Sequence, residues 1–241
     1  MNKAAIVTGG TGALGRKIVE KFSENDIRVY VPSENLETFN KVFDNSGNSE
    51  EESFKLRKIF SFLCDATDEN SVREFVADVL KLENGKIDYL VNTVGGINPV
   101  SEVKNLKTES LNKMFYLNFM SAFYFSREVL KSMETNRFGR IISIGAIAGL
   151  NTTPGRFDYS FSKAGVINLM DTISEEMKKF NVRCNTIIPS VINTPANREW
   201  GTEKEISTWI SPEEIAEIIY ELVSDKFTAL RSSSIKLYGS A

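Results

Sequence analysis

Seven short apolar runs, each separated from the next by a longer amphipathic stretch, recur along the chain, and that alternation is compatible with few folds. The runs are Ala4 to Thr8, Arg28 to Pro32, Lys58 to Cys64, Tyr89 to Thr93, Arg140 to Ala146, Arg183 to Ile188 and Ser234 to Tyr238. Most are apolar throughout, as strands covered on both faces are. Helix-period segments lie between them, near Leu14 to Asn25, Asn35 to Phe43, Glu69 to Leu82, Ser110 to Glu134, Tyr159 to Phe180 and Pro212 to Ser224. Strand and helix in turn predict βαβ units, hence an α/β fold with a seven-stranded, mostly parallel sheet and helices on both faces. A length of 241 residues suits one α/β domain, so residues 1–241 are expected to form a single unit.

Composition removes several classes of function. With 29 basic and 32 acidic residues the net charge is -3, which provides no broad positive field for a nucleic acid. Hydrophobic residues at 41% and charged residues at 25% are ordinary globular values and argue against a membrane protein. Met1-Asn2 leads directly into the first apolar run with no basic-then-apolar leader, so a cytoplasmic location is expected. Cys64 and Cys184 each sit in a strand-like run and read as reduced core residues. There is no histidine, which excludes histidine triads, histidine metal sites and histidine proton shuttles. No metal site is expected, and acid-base work falls to a carboxylate, Lys, Cys or Tyr. The polar stretch Asp44 to Ser53 is expected to be a mobile loop. Phe115, Tyr116, Phe119, Phe123, Tyr124 and Phe125 cover more than one face of their helix, which predicts burial against the sheet and against a second subunit, in a homodimer or homotetramer.

The first strand ends in Thr8-Gly9-Gly10-Thr11-Gly12-Ala13-Leu14-Gly15 and opens a helix. Small residues there let the backbone approach a pyrophosphate, and the helix start offers free N–H groups and a positive dipole end. The stretch resembles the phosphate loop of the short-chain dehydrogenase/reductase family, T-G-x-x-x-G-x-G, with Ala13 where the middle glycine is usual. That resemblance runs collinearly along nearly the whole chain and implies a Rossmann fold holding a nicotinamide dinucleotide. It implies that Asp65, in Cys64-Asp65-Ala66-Thr67-Asp68, accepts a bond from the adenine amino group. In Leu90-Val91-Asn92-Thr93-Val94-Gly95-Gly96 it implies that Asn92 braces the sheet while Val94 and Gly95 pass close to the cofactor. Asn118 falls where the family has the helix asparagine that holds a water in its proton relay. Pro189-Ser190-Val191-Ile192-Asn193-Thr194-Pro195 resembles P-G-x-x-x-T, with Ser190 in place of glycine; Thr194 would bond the carboxamide and Ile192 pack by the ring.

Tyr159-Ser160-Phe161-Ser162-Lys163 resembles the family's Y-x-x-x-K. A spacing of four puts phenol and ammonium on one helix face. A free phenol, with a pKa of about 10, is a poor base at neutral pH, and a fixed cation lowers that value, so Lys163 is expected to activate Tyr159 and to grip the nicotinamide ribose. One departure bears on the chemistry: Ala146 stands where the family has a serine that bonds the substrate oxygen. Ser143 emerges from the other face of its strand, and Thr152 and Thr153 are the substitutes nearest in sequence. Alanine there also resembles the branch represented by dihydropteridine reductase, which reduces a quinonoid ring. Residues 196–211 are expected to form a substrate lid. The second strand ends in Ser33-Glu34 without the aspartate that holds an NAD ribose, and Arg16 lies in the neighbouring turn, so the cofactor reading leans to NADP over NAD. The expected activity is hydride transfer between that cofactor and a small carbonyl or alcohol. The alternatives are quinonoid ring reduction and a dinucleotide-binding protein without turnover.

Overall fold

The computed structural model describes residues 3–43 and 58–240. The stretch Asp44 to Ser53 lies outside the described residues. Strands β1 (Ala4–Thr8), β2 (Arg28–Ser33), β3 (Ile59–Leu63), β4 (Tyr89–Asn92), β5 (Gly139–Ile144), β6 (Val182–Pro189) and β7 (Ser233–Leu237) form one sheet in the order β3-β2-β1-β4-β5-β6-β7. Each neighbouring pair is parallel. The order runs outward from β1 on one side and from β4 on the other. The switch between them opens a crevice at the carboxyl ends of the strands.

Side chains alternate across each strand, and both faces are covered. Ala4, Ile6, Leu90 and Ile141 pack under α3 (Glu69–Leu82), α5 (Ser121–Asn136) and α6 (Phe157–Glu176), through Phe75, Phe125 and Met170. Ala5, Val7, Val91 and Ile142 face α1 (Ala13–Glu24) and α9 (Pro212–Val223), through Ile18, Phe22, Ile215 and Ile219. Two covered faces explain why the strands read as continuous apolar runs. Cys64 and Cys184 are free, buried thiols; burial pushes the first up to about 11 and the second up to about 12, so both stay protonated near neutral pH.

Local chemistry sets the helix starts. The Asp68 side chain accepts from the Ser71 N–H at 2.7 Å and caps α3. Asn35 does the same for α2 (Leu36–Phe43), accepting from the Glu37 N–H at 2.7 Å. Ser211 and Glu214 form a capping box on α9, with Pro212 in its first turn. In contrast, α1 starts after Gly12, and no side chain caps it.

Two segments depart from the pattern read in the sequence. The expected continuous helix over Ser110 to Glu134 is α4 (Thr108–Met114), a π turn (Phe115–Met120) and α5. Residues 196–211 contain two one-turn helices, α7 (Pro195–Arg198) and α8 (Glu203–Ile206), too short to show a helical period. The segment is closed at its base by a bridge between Ile192 and Ile210, and Trp200 packs on Trp209 with ring centroids 4.8 Å apart.

The turn between β1 and α1 tolerates no side chain at Gly15, where a Cβ would run into the Gly9 carbonyl oxygen and stand 2.8 Å from the Gly10 Cα. Backbone atoms cannot rotate aside. Gly15→Ala is expected to destabilise the fold by about 1–3 kcal/mol, measured as a lower urea midpoint with unchanged slope.

Candidate active site

Three clefts that share residues run along the carboxyl edge of the sheet as one groove. Gly9, Thr11, Ser33, Ala66 and Val94 line its first part, together with Glu34, Asn35 and Thr38. Gly9 continues into the middle part, lined by Gly12, Ala13, Leu14, Gly15, Gly95 and Thr194. Leu14, Thr93 and Gly95 continue into the far part, where Ala146, Tyr159, Lys163, Pro189, Ser190 and Ile192 meet. The uncapped start of α1 faces the middle, so its first-turn N–H groups and positive dipole end lie where a pyrophosphate of a dinucleotide would be held. The glycines fit the same group. A Cβ at Gly95 would crowd the Asn118 Oδ1 at 2.7 Å and the Lys163 Nζ at 3.2 Å, and Gly9 adopts φ 63°, which favours glycine.

Lys163 is buried, and its ammonium donates to the Ile144 carbonyl at 2.8 Å. Burial lowers its pKa to about 8. Burial raises that of Tyr159, and the Arg156 guanidinium pulls it partly back. Lys163 is held by the β5 carbonyl, and Arg156, three residues before Tyr159, is a second cation favouring the phenolate that the motif spacing did not include. Arg156 also donates to the Asn98 carbonyl. The Asp158 carboxylate accepts from the Tyr159 N–H at 2.8 Å and from the Asn98 amide at 2.7 Å, tying the loop after β4 to the start of α6.

Asn118 lies at the π turn, where it reaches across to that loop. Its Oδ1 accepts from the Gly96 N–H at 2.9 Å, and its amide donates to the Gly96 carbonyl at 3.1 Å and to the Ser162 Oγ at 3.0 Å. Ser162 in turn donates to the Tyr159 carbonyl at 2.8 Å. Insertions of this type often mark functional positions, because the extra residue re-aims a side chain. Asn92 is buried and donates to Ser143 and Ser126, at 3.0 and 3.3 Å, bracing β4 against β5 and α5. The Asp65 carboxylate accepts from the Thr67 N–H and hydroxyl, both at 2.7 Å, and so shapes the turn that brings Ala66 and Thr67 to the groove. Thr194 caps α7 by accepting from the Asn197 N–H.

Two expectations need correction. Thr152 and Thr153 are exposed and line none of the three clefts, so neither substitutes for the hydroxyl absent at Ala146. Ser143, as its strand face predicts, is turned away, its hydroxyl against the Met170 sulfur at 3.1 Å. Arg16 pairs with Glu20 at 2.6 Å and borders a hollow with Arg198 and Glu213 that shares Ala13 and Pro195 with the middle of the groove, not the part that contains Ser33. Sequence reasoning missed Thr93, Asn197 and Arg156; the first lines the groove from the loop after β4 and the second from the one-turn helix α7, and only the third carries a charge that could have flagged it.

Comparison with known proteins identifies the family and the fold. The model of the short chain dehydrogenase family matches residues 3–205. The 7alpha-hydroxysteroid dehydrogenase of Bacteroides fragilis is 32% identical over 200 residues, 81% of this chain and 73% of that protein. The 3-oxoacyl-[acyl-carrier-protein] reductase of Thermotoga maritima is 27% identical over 249 residues, 98% of this chain and 96% of that protein. Among solved structures, an NAD+-bound xylitol dehydrogenase superposes with a TM-score of 0.85 at 22% identity, covering 98% of both chains. ElxO with NADP bound gives 0.87 at 24%, covering 98% of this chain and 97% of that one. These two share the fold. With a family model spanning most of its length and a relative above 30% identity, the chain belongs to the short-chain dehydrogenase family of oxidoreductases.

Proposed function

We propose that this chain is an NAD(P)-dependent dehydrogenase or reductase that moves a hydride between nicotinamide and a small carbonyl/alcohol pair, with Tyr159 giving or taking the proton. The observation that carries this reading is that Tyr159 and Lys163 share the far end of a groove whose middle is the glycine turn. Relatives named for a hydroxysteroid and a 3-oxoacyl group support an alcohol/ketone pair. When bound, the nicotinamide supplies or accepts the hydride. Burial keeps the Tyr159 phenol protonated at neutral pH, which suits it to protonate a carbonyl oxygen. For the reverse direction the phenol must lose that proton, and Arg156 favours its phenolate. The Lys163 ammonium orients the nicotinamide ribose, while Asn118 and Ser162 hold Gly96 and α6 in register as positioning residues. Residues 196–211 cover the substrate. At the ribose corner Glu34 is the charged residue among those that line the cleft; it repels a 2′-phosphate and accepts from a ribose diol, so we place NAD ahead of the NADP toward which the strand tip leans. A quinonoid ring is the second reading, favoured by Ala146 on the wall of the cleft, since such a ring makes less use of a serine hydroxyl.

An aromatic ladder on the outer surface supports a homodimer or homotetramer. Phe123, Phe119, Phe115, Phe161 and Phe157 stack in sequence with centroids 6.3, 5.1, 6.1 and 5.9 Å apart. Phe161 is 50% exposed and Tyr116 46%, a contiguous apolar face that a second copy of the chain would cover.

Tyr159→Phe is expected to lower kcat for ketone reduction by about 10²–10⁴-fold with the dinucleotide Kd unchanged; full activity in that variant would remove the proton role. Lys163 carries the second expectation. Ribose hydroxyls accepting from its ammonium favour the charged form, so the dinucleotide binds the protonated protein more tightly, and Kd should rise as pH increases through about 8. Fluorescence titration with NADH and NADPH from acid to alkaline pH measures this, and Lys163→Met should flatten the profile. For the aromatic face, light scattering on the purified protein should give a dimer or tetramer mass, and Phe161→Glu should shift it toward the monomer.

A further inference from the structure

We propose that Ser190 supplies the hydrogen bond to the reacting substrate oxygen that Ala146, lacking a hydroxyl, cannot give; the proposal rests on the carbonyl/alcohol reading above. Ala146 follows β5 and Ser190 follows β6, and the two strands are neighbours. Ile144 pairs with Ile187, and the Gly145 N–H donates to the Ile187 carbonyl at 2.8 Å, so the two chains leave the sheet side by side. The Ser190 N–H donates to the Leu237 carbonyl at 2.8 Å, which fixes its backbone at the strand end. Ala146 and Ser190 line the same part of the groove as Tyr159.

Elimination leaves few donors there. The Thr93 hydroxyl donates to the Thr8 carbonyl, and the Asn197 amide donates to the Ile192 carbonyl at 2.9 Å. Among the described residues that line this part, the hydroxyls of Tyr159 and Ser190 make no hydrogen bond within the chain. The chain therefore lacks a hydroxyl at one strand end and has one at the adjacent strand end, where the family motif has glycine. When bound, the reduced dinucleotide would supply the hydride, its own C–H bond breaking as the substrate C–H bond forms; the carbonyl π pair moves to oxygen, which takes the proton of Tyr159. Ser190 donates a hydrogen bond to that oxygen while charge develops, and no bond to Ser190 forms or breaks.

The test uses a ketone that the wild type reduces and follows kcat/KM, the NADH Kd and the melting temperature. Ser190→Ala should lose about 10²-fold in kcat/KM, with the NADH Kd within about twofold of wild type, and at least a tenth of wild-type kcat/KM should be recovered in Ser190→Thr or in the double variant Ser190→Ala/Ala146→Ser. An active wild type with an indifferent Ser190→Ala, or a loss that neither hydroxyl variant recovers, overturns the proposal alone. A folded wild type that turns over no ketone or alcohol overturns the carbonyl reading and this proposal with it.

Discussion

Parallel strand direction is the constraint from which the site follows. With seven strands running the same way, each leaves the sheet at one edge, and residues far apart in sequence emerge within one groove. Gly9 after β1, Ser33 at the tip of β2, Ala66 after β3, Gly95 after β4, Ala146 after β5 and Ser190 after β6 are successive exits along that edge. The reversal of strand order between β1 and β4 keeps that edge open, because connections on the two sides lead away from each other. No single segment makes the site; the sheet does.

Within that groove the electrostatics are set by burial more than by charge pairing. Among the described residues Lys163 has no carboxylate partner, and its ammonium is held by the Ile144 carbonyl. Desolvation without a counter-ion brings its pKa down to about 8, into the range where a ligand's hydroxyls decide its charge. Tyr159 is subject to the same desolvation in the opposite sense, since burial disfavours the phenolate. The two groups are thus both biased toward neutral forms, and Arg156, outside the motif, offsets part of that bias for Tyr159.

The sequence made the periodic parts legible because their pattern is local. The core runs of β1 and α3 match the structure end for end, and the glycine turn and the Tyr159–Lys163 pair lie where spacing predicts. What escaped depends on partners distant in the chain. The π turn at Phe115–Met120 accompanies a side chain, Asn118, that bonds Gly96, twenty-two residues earlier, and no helical period encodes such a reach. Arg16 pairs with Glu20 one turn further on, and an i,i+4 spacing alone does not tell whether such a pair outcompetes a phosphate for the guanidinium. Thr152 and Thr153 are near Ala146 along the chain but do not line its part of the groove, since the loop after the turn Ile147–Gly149 is exposed.

Two kinds of position follow from this arrangement, and they differ in how freely their residues can change. Gly15 and Gly95 are fixed by backbone approach, because any side chain would strike atoms that cannot move or a group already bonded. A hydroxyl that points at substrate is constrained only by where its oxygen ends up, and neighbouring parallel strands offer two exits a few ångströms apart. Such a group can therefore shift from one strand end to the next while the backbone cradle stays as it is. The glycine turn is therefore the more constrained part of this groove, and Ala146 and Ser190, at adjacent strand ends, are the part where a side chain can be exchanged without moving the backbone.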